Sequence, residues 1–360
     1  MATILSEHVV DIVNTTMSHY DPKQRATDIA QELREYIAVD RLLTENRMGV
    51  ASGSPHEFRL ITEYDANFKW TSMFAQDNLN QVNGVKKGYV PERMCSTGCT
   101  WDIFQEQVNE GTAEILNFIK VKKHQMYGKW VEEMEKSFWD GPLTDTDGLR
   151  PFGLLKYWAT YNSSTTGGFL GGNHTNASGG PGNVNCDDYA RWKHWAAKWT
   201  TMNEADAYSL LRDAFHDANF KAPKVNGQVQ NYGNSYKWGL YTCWSNLKTM
   251  QGHARSNNEN MGSELDKYGQ DGDVRFHRVV VEEVPYLSTY HNTSKPLIGI
   301  NWDLWGCLVW ANKWMVETPF KQVANQHNCR EMFMDCAFNW FTPDRRNAMF
   351  LIAYSDPMSD

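Results

Sequence analysis

From Phe58 the chain alternates: Phe58, Leu60, Thr62, Tyr64, Ala66, Phe68 and Trp70 fall on one side, and Arg59, Ile61, Glu63, Asp65, Asn67 and Lys69 on the other. Successive side chains leave opposite faces of a β-strand, so a period of two predicts one long strand that is polar on one face. Asn83-Gly84 follows Val82; this dipeptide best supplies the positive φ angles of a type I′ turn, after which Val85 to Val90 runs back. A hairpin of this length exceeds the usual strand of about 5–6 residues. Such a hairpin projects from a globular body unless another element covers its apolar face. The alternative is a hairpin inside an ordinary sheet.

Past the hairpin the period changes. Phe104, Val108, Ile115, Ile119, Met126 and Trp130 recur in alternating steps of four and seven, an eleven-residue spacing that stays on one helix face. Gly111 and Gly128 weaken this helix locally, and Trp139-Asp140-Gly141-Pro142 stops it. A helix over residues 100–140 is a strut of roughly 60 Å. Coiled-coil pairing is the alternative, against which stand the spacing, the glycines and the absence of a leucine seam. Glu132, Glu133 and Glu135 among Lys129 and Lys136 read as its solvated face.

Elsewhere, Asp21-Pro22 opens an amphipathic helix reaching to about Glu45. Residues 162–185 are rich in Gly, Ser, Asn and Thr, which predicts a surface excursion or functional loop. A capping box from Thr201 to Glu204 starts a helix whose apolar face is Tyr208, Leu211, Phe215 and Ala218. Strands are expected at 236–243, 274–284, 296–300 and 308–314, and a helix from Leu247 to about Asn258. A final hairpin runs Met332, Met334, Cys336, Phe338, Trp340, turns at Thr342-Pro343-Asp344 and returns through Met349 to Ala353. The class is α+β, without βαβ rhythm or internal repeats.

A chain of 360 residues is long enough for two lobes. Lys plus Arg total 35 against 43 Asp plus Glu, a net charge of -8 without long single-sign blocks, which argues against nucleic-acid binding as the main task. The 15 tryptophans suit cores and interfaces, and also carbohydrate-binding surfaces. Seven scattered cysteines read as reduced thiols; Cys95 and Cys99 are close, but no second ligand pair with zinc spacing accompanies them. The N-terminus lacks the basic start and apolar run of a signal peptide, and no segment reaches the roughly 20 apolar residues of a membrane span. The expectation is a reducing, aqueous compartment.

Motifs for chemistry are absent. Gly167-Gly168, Gly171-Gly172 and Gly179-Gly180-Pro181-Gly182 fit neither the dinucleotide nor the Walker spacing. His194, His216 and His253 stand alone, and Asp145, Asp147 and Gly148 carry only part of a calcium loop. Ser245-Asn246-Leu247-Lys248 matches SxxK without its partner motif. No catalytic, cofactor-binding or metal-binding residue is assigned.

The order of elements resembles the tailed-phage capsid fold of the Hong Kong 97 type, and local wording adds to the likeness. Gly153-Leu154-Leu155-Lys156-Tyr157-Trp158, Gly168-Phe169-Leu170-Gly171-Gly172 and Tyr189-Ala190-Arg191-Trp192 are similar to segments of environmental-phage major capsid proteins. So are Pro296-Leu297-Ile298-Gly299-Ile300-Asn301-Trp302, Gln326-His327, and Phe338-Asn339-Trp340 with Arg345-Arg346. The resemblance implies an N-terminal arm (1–54), an E-loop hairpin (55–97), a peripheral domain with its spine helix (98–230), an axial domain (231–295), and C-terminal strands of both (296–360). Asn301, Trp302, Asn339, Trp340, Arg345 and Arg346 are its motif positions. Candidate inter-subunit contacts are Phe58, Tyr64, Phe68, Trp70, Asn83, Gly84, Lys86 and Tyr89.

What it implies for function is a homo-oligomer of hexamers and pentamers closing an icosahedral shell around double-stranded DNA held weakly and non-specifically. A portal at one vertex, an optional decoration protein and no membrane partner complete the expectation, with assembly in the host cytoplasm and residence in the virion. The short segment ahead of the hairpin leads us to expect a separate scaffolding protein. No motif identifies a partner for Lys69, Lys86 or Lys87, so no covalent crosslink is expected. The competing readings are a Trp-rich carbohydrate-binding surface or virion module, with 162–185 as its site, and a glycosidase built on two carboxylates about 5 to 9.5 Å apart.

Overall fold

The computed structural model describes residues 30–44, 48–51, 53, 55–64, 68–73, 84–104, 112–219, 237–256 and 274–357. Strands β1 (Met48–Ala51), β2 (His56–Ile61), β3 (Val85–Val90) and β4 (Arg93–Asp102) precede the long helix α1 (Thr112–Trp139). Then come β5 (Trp195–Lys198), α2 (Ala207–Ala218), β6 (Trp238–Thr242), α3 (Trp244–Ser256), β7 (Arg275–Phe276), β8 (Val279–Glu283), α4 (Pro285–Tyr290) and β9 (Leu297–Asn301). The chain closes with β10 (Gly306–Trp310), β11 (Val316–Glu317), β12 (Lys321–Gln322), β13 (Cys329–Phe341), the helical turn α5 (Arg345–Ala348) and β14 (Met349–Ala353).

Two sheets form the body. In the first, β13 is the hub, pairing antiparallel with β10, β11, β12 and, over ten register positions from Cys329↔Asp102 to Phe338↔Arg93, with β4. The second sheet has the order β5-β14-β9-β6-β8-β7. Its central strands are buried along their whole length, because both faces are covered. Phe350 and Ile352 of β14 face one core with Leu297 and Leu240, while Met349, Leu351 and Ala353 join Ile298, Ile300 and Tyr241 in the other. Period two thus distributes one apolar run between two cores.

The first of these cores lies along α1, whose Met126, Trp130, Met134 and Phe138 repeat every fourth residue and are all buried. Phe138 sits at its centre, with the rings of Trp139, Trp302, Trp305 and Trp340 at 5.1, 5.7, 5.5 and 5.4 Å. The second core packs α2 through Leu210, Leu211, Ala214 and Phe215.

Several expectations need correction. The strut is the 28-residue α1, about 42 Å long; residues 100–102, assigned to it, instead end β4, where a ten-residue pairing with β13 takes precedence over helical spacing. Glu135 is not solvated. Its carboxylate is fully buried and accepts from the backbone N–H groups of Ala38 (3.2 Å) and Val39 (3.0 Å) and from the Trp139 indole (2.7 Å), and burial raises its pKa. The N-terminal helix is described only from residue 30, as a helical turn at Ile37–Val39 continuing into a π-turn at Asp40–Thr44. The capping box does not form: Asp206 precedes α2 and its carboxylate accepts from the N–H of Thr200 and Thr201, both at 2.8 Å.

The C-terminal hairpin is also redrawn. Strands β13 and β14 belong to different sheets, and α5 carries the chain between them, capped by Asp344 accepting from Arg346 and Asn347. The expected strand over 274–284 is interrupted by a two-residue turn, His277-Arg278, with φ of 47° and 69° between Phe276 and Val279, which pair across it. Positive φ at both central positions makes a type I′ turn, where Asn-Gly is preferred and other residues cost on the order of 1–2 kcal/mol each.

Candidate functional site

The hairpin identified from the sequence has a root and a free part. At the root, β2 and β3 pair from His56↔Val90 to Ile61↔Val85, and Thr62 N–H donates to Gly84 O at 2.7 Å. The strand is therefore six residues, not the long one read from residues 58–70. Gly84, half of the turn expected at Asn83-Gly84, stands opposite Thr62 at the start of the pairing between β3 and β2. Asn83 itself is outside the described residues.

Phe58, one of the candidate inter-subunit contacts, has its ring buried inside its own chain. It packs on Trp192 at 6.0 Å and Phe341 at 5.1 Å, and its ring lies where Gly88 has no side chain: a Cβ there would come within 2.2 Å of it. The segment 189–192 clamps the same root, with Lys86 over the Tyr189 ring (5.4 Å) and Arg191 over Tyr64 (5.7 Å). Tyr89 is half-buried in β3. Beyond Thr62 cover fails: Tyr64 is 72% exposed, Phe68 79% and Trp70 93%, with Phe68 and Trp70 edge to face at 5.4 Å. Met73, which the alternation did not single out, is 86% exposed. Four large apolar side chains of the arm are thus exposed, two of them in ring contact with each other.

Behind the clamp lies a buried polar hub built on Arg345. Its side chain is fully buried and donates to Trp158 O (2.6 Å), Gly172 O (2.9 Å), Thr160 Oγ1 (3.1 Å), Cys186 Sγ (3.0 Å) and Trp192 O (3.4 Å). Burial lowers its pKa to about 10. His194 accepts at Nε2 from Thr160 N–H (2.8 Å), and Nδ1, 2.8 Å from Trp195 O, is then the protonated nitrogen. Complete burial, with the Arg345 charge second, holds its pKa well below the usual histidine value. His174 accepts from Asn176 N–H at 3.1 Å, and burial together with Arg345 lowers its pKa to about 4. These contacts fold 162–185 against the body: Pro181 and Gly182 are buried, and Trp192 Nε1 donates to Pro181 O at 2.9 Å. The segment is a buttress for the arm, not the excursion its composition suggested.

The remaining motif positions also hold the interior. Asn339 accepts from Phe152 N–H (2.8 Å) and donates to Pro91 O (2.7 Å). Trp340 and Trp302 donate to Ser137 Oγ (3.2 Å) and Tyr241 Oη (2.7 Å), and Asn301 caps the turn after β9. Arg346 lies 4.0 Å over the Phe169 ring. Sequence reasoning missed the Tyr189, Arg191 and Trp192 clamp as a working unit, although it had noted the four-residue run. Among the described residues, no group of three or more His, Cys, Asp or Glu could hold a metal ion.

A two-sheet α+β body, a long helix along one core and an arm clamped at its root define the tailed-phage capsid fold of the Hong Kong 97 type, and three solved structures share it across nearly the whole chain. The cyanophage A-1(L) capsid asymmetric unit matches with a TM-score of 0.57 at 10% identity, covering 92% of this chain and 97% of that one. The capsid of a native GTA particle matches at 0.55 with 8% identity over 94% and 98%. The capsid of Myoviridae phage XM1 matches at 0.53 with 9% identity over 92% and 97%. No protein-family model and no curated protein matches the sequence.

Proposed function

We propose that this chain is the major capsid protein of a tailed phage, a structural subunit without catalytic activity that forms hexamers and pentamers and closes an icosahedral head around double-stranded DNA. The observation that carries this reading is the arm: a clamped root followed by Tyr64, Phe68, Trp70 and Met73, exposed on one chain and suited to burial against a neighbouring copy. Gly84 and Lys86 border that surface, while Phe58 anchors it. Similarity of fold to capsid subunits supports the same role.

In this reading 1–54 is the N-terminal arm, 55–97 the hairpin, 98–230 the peripheral domain, 231–295 the axial domain and 296–360 the returning strands of both. A separate scaffolding protein, a portal and an optional decoration protein are the partners it brings, with the host cytoplasm as the place of assembly and the virion as the final location. A carbohydrate platform is disfavoured, because 11 of the 15 tryptophans are buried and 162–185 is packed down.

Negative-stain microscopy of the purified chain tests the proposal. Shells are expected, and shortening the hairpin between Trp70 and Lys86 should leave a folded subunit that no longer assembles. Monomers persisting across salt and concentration, with scaffold supplied, would refute it.

A further inference from the structure

The chain is acidic overall, yet four of its basic side chains line one groove. A groove of about 780 Å³ opens between α2, the start of β6 and the β7–β8 turn. Among the described residues, Arg41, Arg212, Lys237 and Arg278 line it together with His216 and His277, against one carboxylate, that of Glu282. Glu282 is taken up by Arg41 at 3.1 Å, and Arg212 pairs with Glu204. Arg278 is exposed and has no hydrogen-bond or ion-pair partner among the described residues.

The wall beside these cations is a fixed aromatic surface. Trp238 is half-buried, stacks on Phe350 at 5.5 Å and donates from Nε1 to Asn219 at 2.9 Å, which sets its ring plane. The His277 ring lies 5.0 Å from Phe276 and 5.8 Å from Phe215. His277 and Arg278 are also the two residues in left-handed backbone at the turn, where Asn-Gly would fit without strain. A turn that keeps two ill-suited residues and presents both to one groove is the pattern of strain retained for binding.

We propose that this groove binds a nucleotide unit, with its phosphate on Arg278, Lys237 and Arg212 and its base against Trp238 and His277. Guanidinium forks match phosphate oxygens, and an aromatic face accepts any base without reading its sequence. The volume falls within the range of about 300–1,000 Å³ usual for small-ligand sites. Either a free nucleotide or a nucleic-acid strand carries this chemistry.

Binding of fluorescein-labelled dT12 to the full chain at low salt, with dTMP and inorganic phosphate as competitors, tests the proposal. dTMP displacing dT12 at similar concentration identifies a single-nucleotide site; dT12 binding that dTMP displaces only weakly identifies a strand. The double variant His277→Asn, Arg278→Gly should weaken binding by about tenfold or more while its Tm stays level or rises, because the turn relaxes. Trp238→Leu should weaken dT12 and dTMP and leave phosphate competition unchanged. Absence of binding by the unaltered chain, undiminished binding by the double variant, or a lower Tm accompanying its weaker binding would each overturn the proposal. So would a poly-glutamate peptide binding as tightly as dT12, since the groove would then be a docking site for an acidic protein. Shell formation is scored separately, so failure here leaves the capsid reading untouched.

Discussion

Lowering the pH from 7.5 to 5.0 should destabilise the subunit through two buried histidines. His174 and His194 lie in the hub around Arg345, both neutral in the folded state, with pKa values of about 4 and well below the usual value respectively. In the unfolded chain each titrates near 6.5, so a falling pH loads protons onto the unfolded state first. A depressed folded pKa therefore contributes stability above about pH 6.5 that is lost progressively as pH falls towards the folded value. At pH 5.0 an unfolded histidine is almost fully protonated and His174, with its folded pKa of about 4, is not, which costs about 2 kcal/mol; His194 adds a loss of the same sign. Buried Glu135 and Asp344 have raised pKa values and act with the opposite sign, so the difference between variants is the quantity to read. Urea unfolding of the unassembled subunit at the two pH values measures it, with His174→Gln and His194→Gln singly and together. His174→Gln should remove about 2 kcal/mol of the acid-induced loss and His194→Gln should reduce it further, and an identical pH dependence in all four proteins would refute the reasoning. His174→Gln alone suffices if replacing His194 prevents folding, because its own expected change is large enough to read.

Arg345→Met should cost about 2 kcal/mol or more in urea unfolding, since the buried acceptors Trp158 O and Trp192 O lose this donor at roughly 1–3 kcal/mol apiece, whereas Gly172 O keeps its hydrogen bond from Thr160 Oγ1. A loss under about 1 kcal/mol would mean that the hub is hydrated or able to collapse. Gly88→Ala should displace Phe58 and loosen the arm, costing about 1–3 kcal/mol and speeding amide exchange in β2 and β3; unchanged exchange there would show that the root does not depend on this contact.

Much of the interior could be read from periodicity. The alternation through Met332, Met334, Cys336, Phe338 and Trp340 marks the buried side of β13, and the apolar stripe ending in Met126 and Trp130 continues through Met134 and Phe138 on α1. Tyr208, Leu211, Phe215 and Ala218 likewise form the packed face of α2. In each case a side chain's face follows from backbone geometry alone, which the sequence encodes locally. Partner choice is not local. Met349–Ala353 reads as the return strand of a hairpin, but its period is equally satisfied by β5 and β9, and burying both of its faces decides for them. The same holds for the acidic run of α1: Glu133 is exposed as read, but Glu132 is buried against Lys136, and Glu135 is buried where a distant segment brings the N–H groups of Ala38 and Val39 to it.

The hairpin shows the division most clearly. The sequence by itself determined that residues 58–70 alternate and that a returning strand follows. Only the tertiary structure decided where the alternation is answered: Phe58 enters a socket of Trp192, Phe341 and the bare backbone of Gly88, whereas Phe68 and Trp70 stay exposed and Tyr64, with Arg191 over its ring, is 72% exposed. An alternating pattern specifies a face, and what that face buries against is fixed by long-range packing or by another molecule.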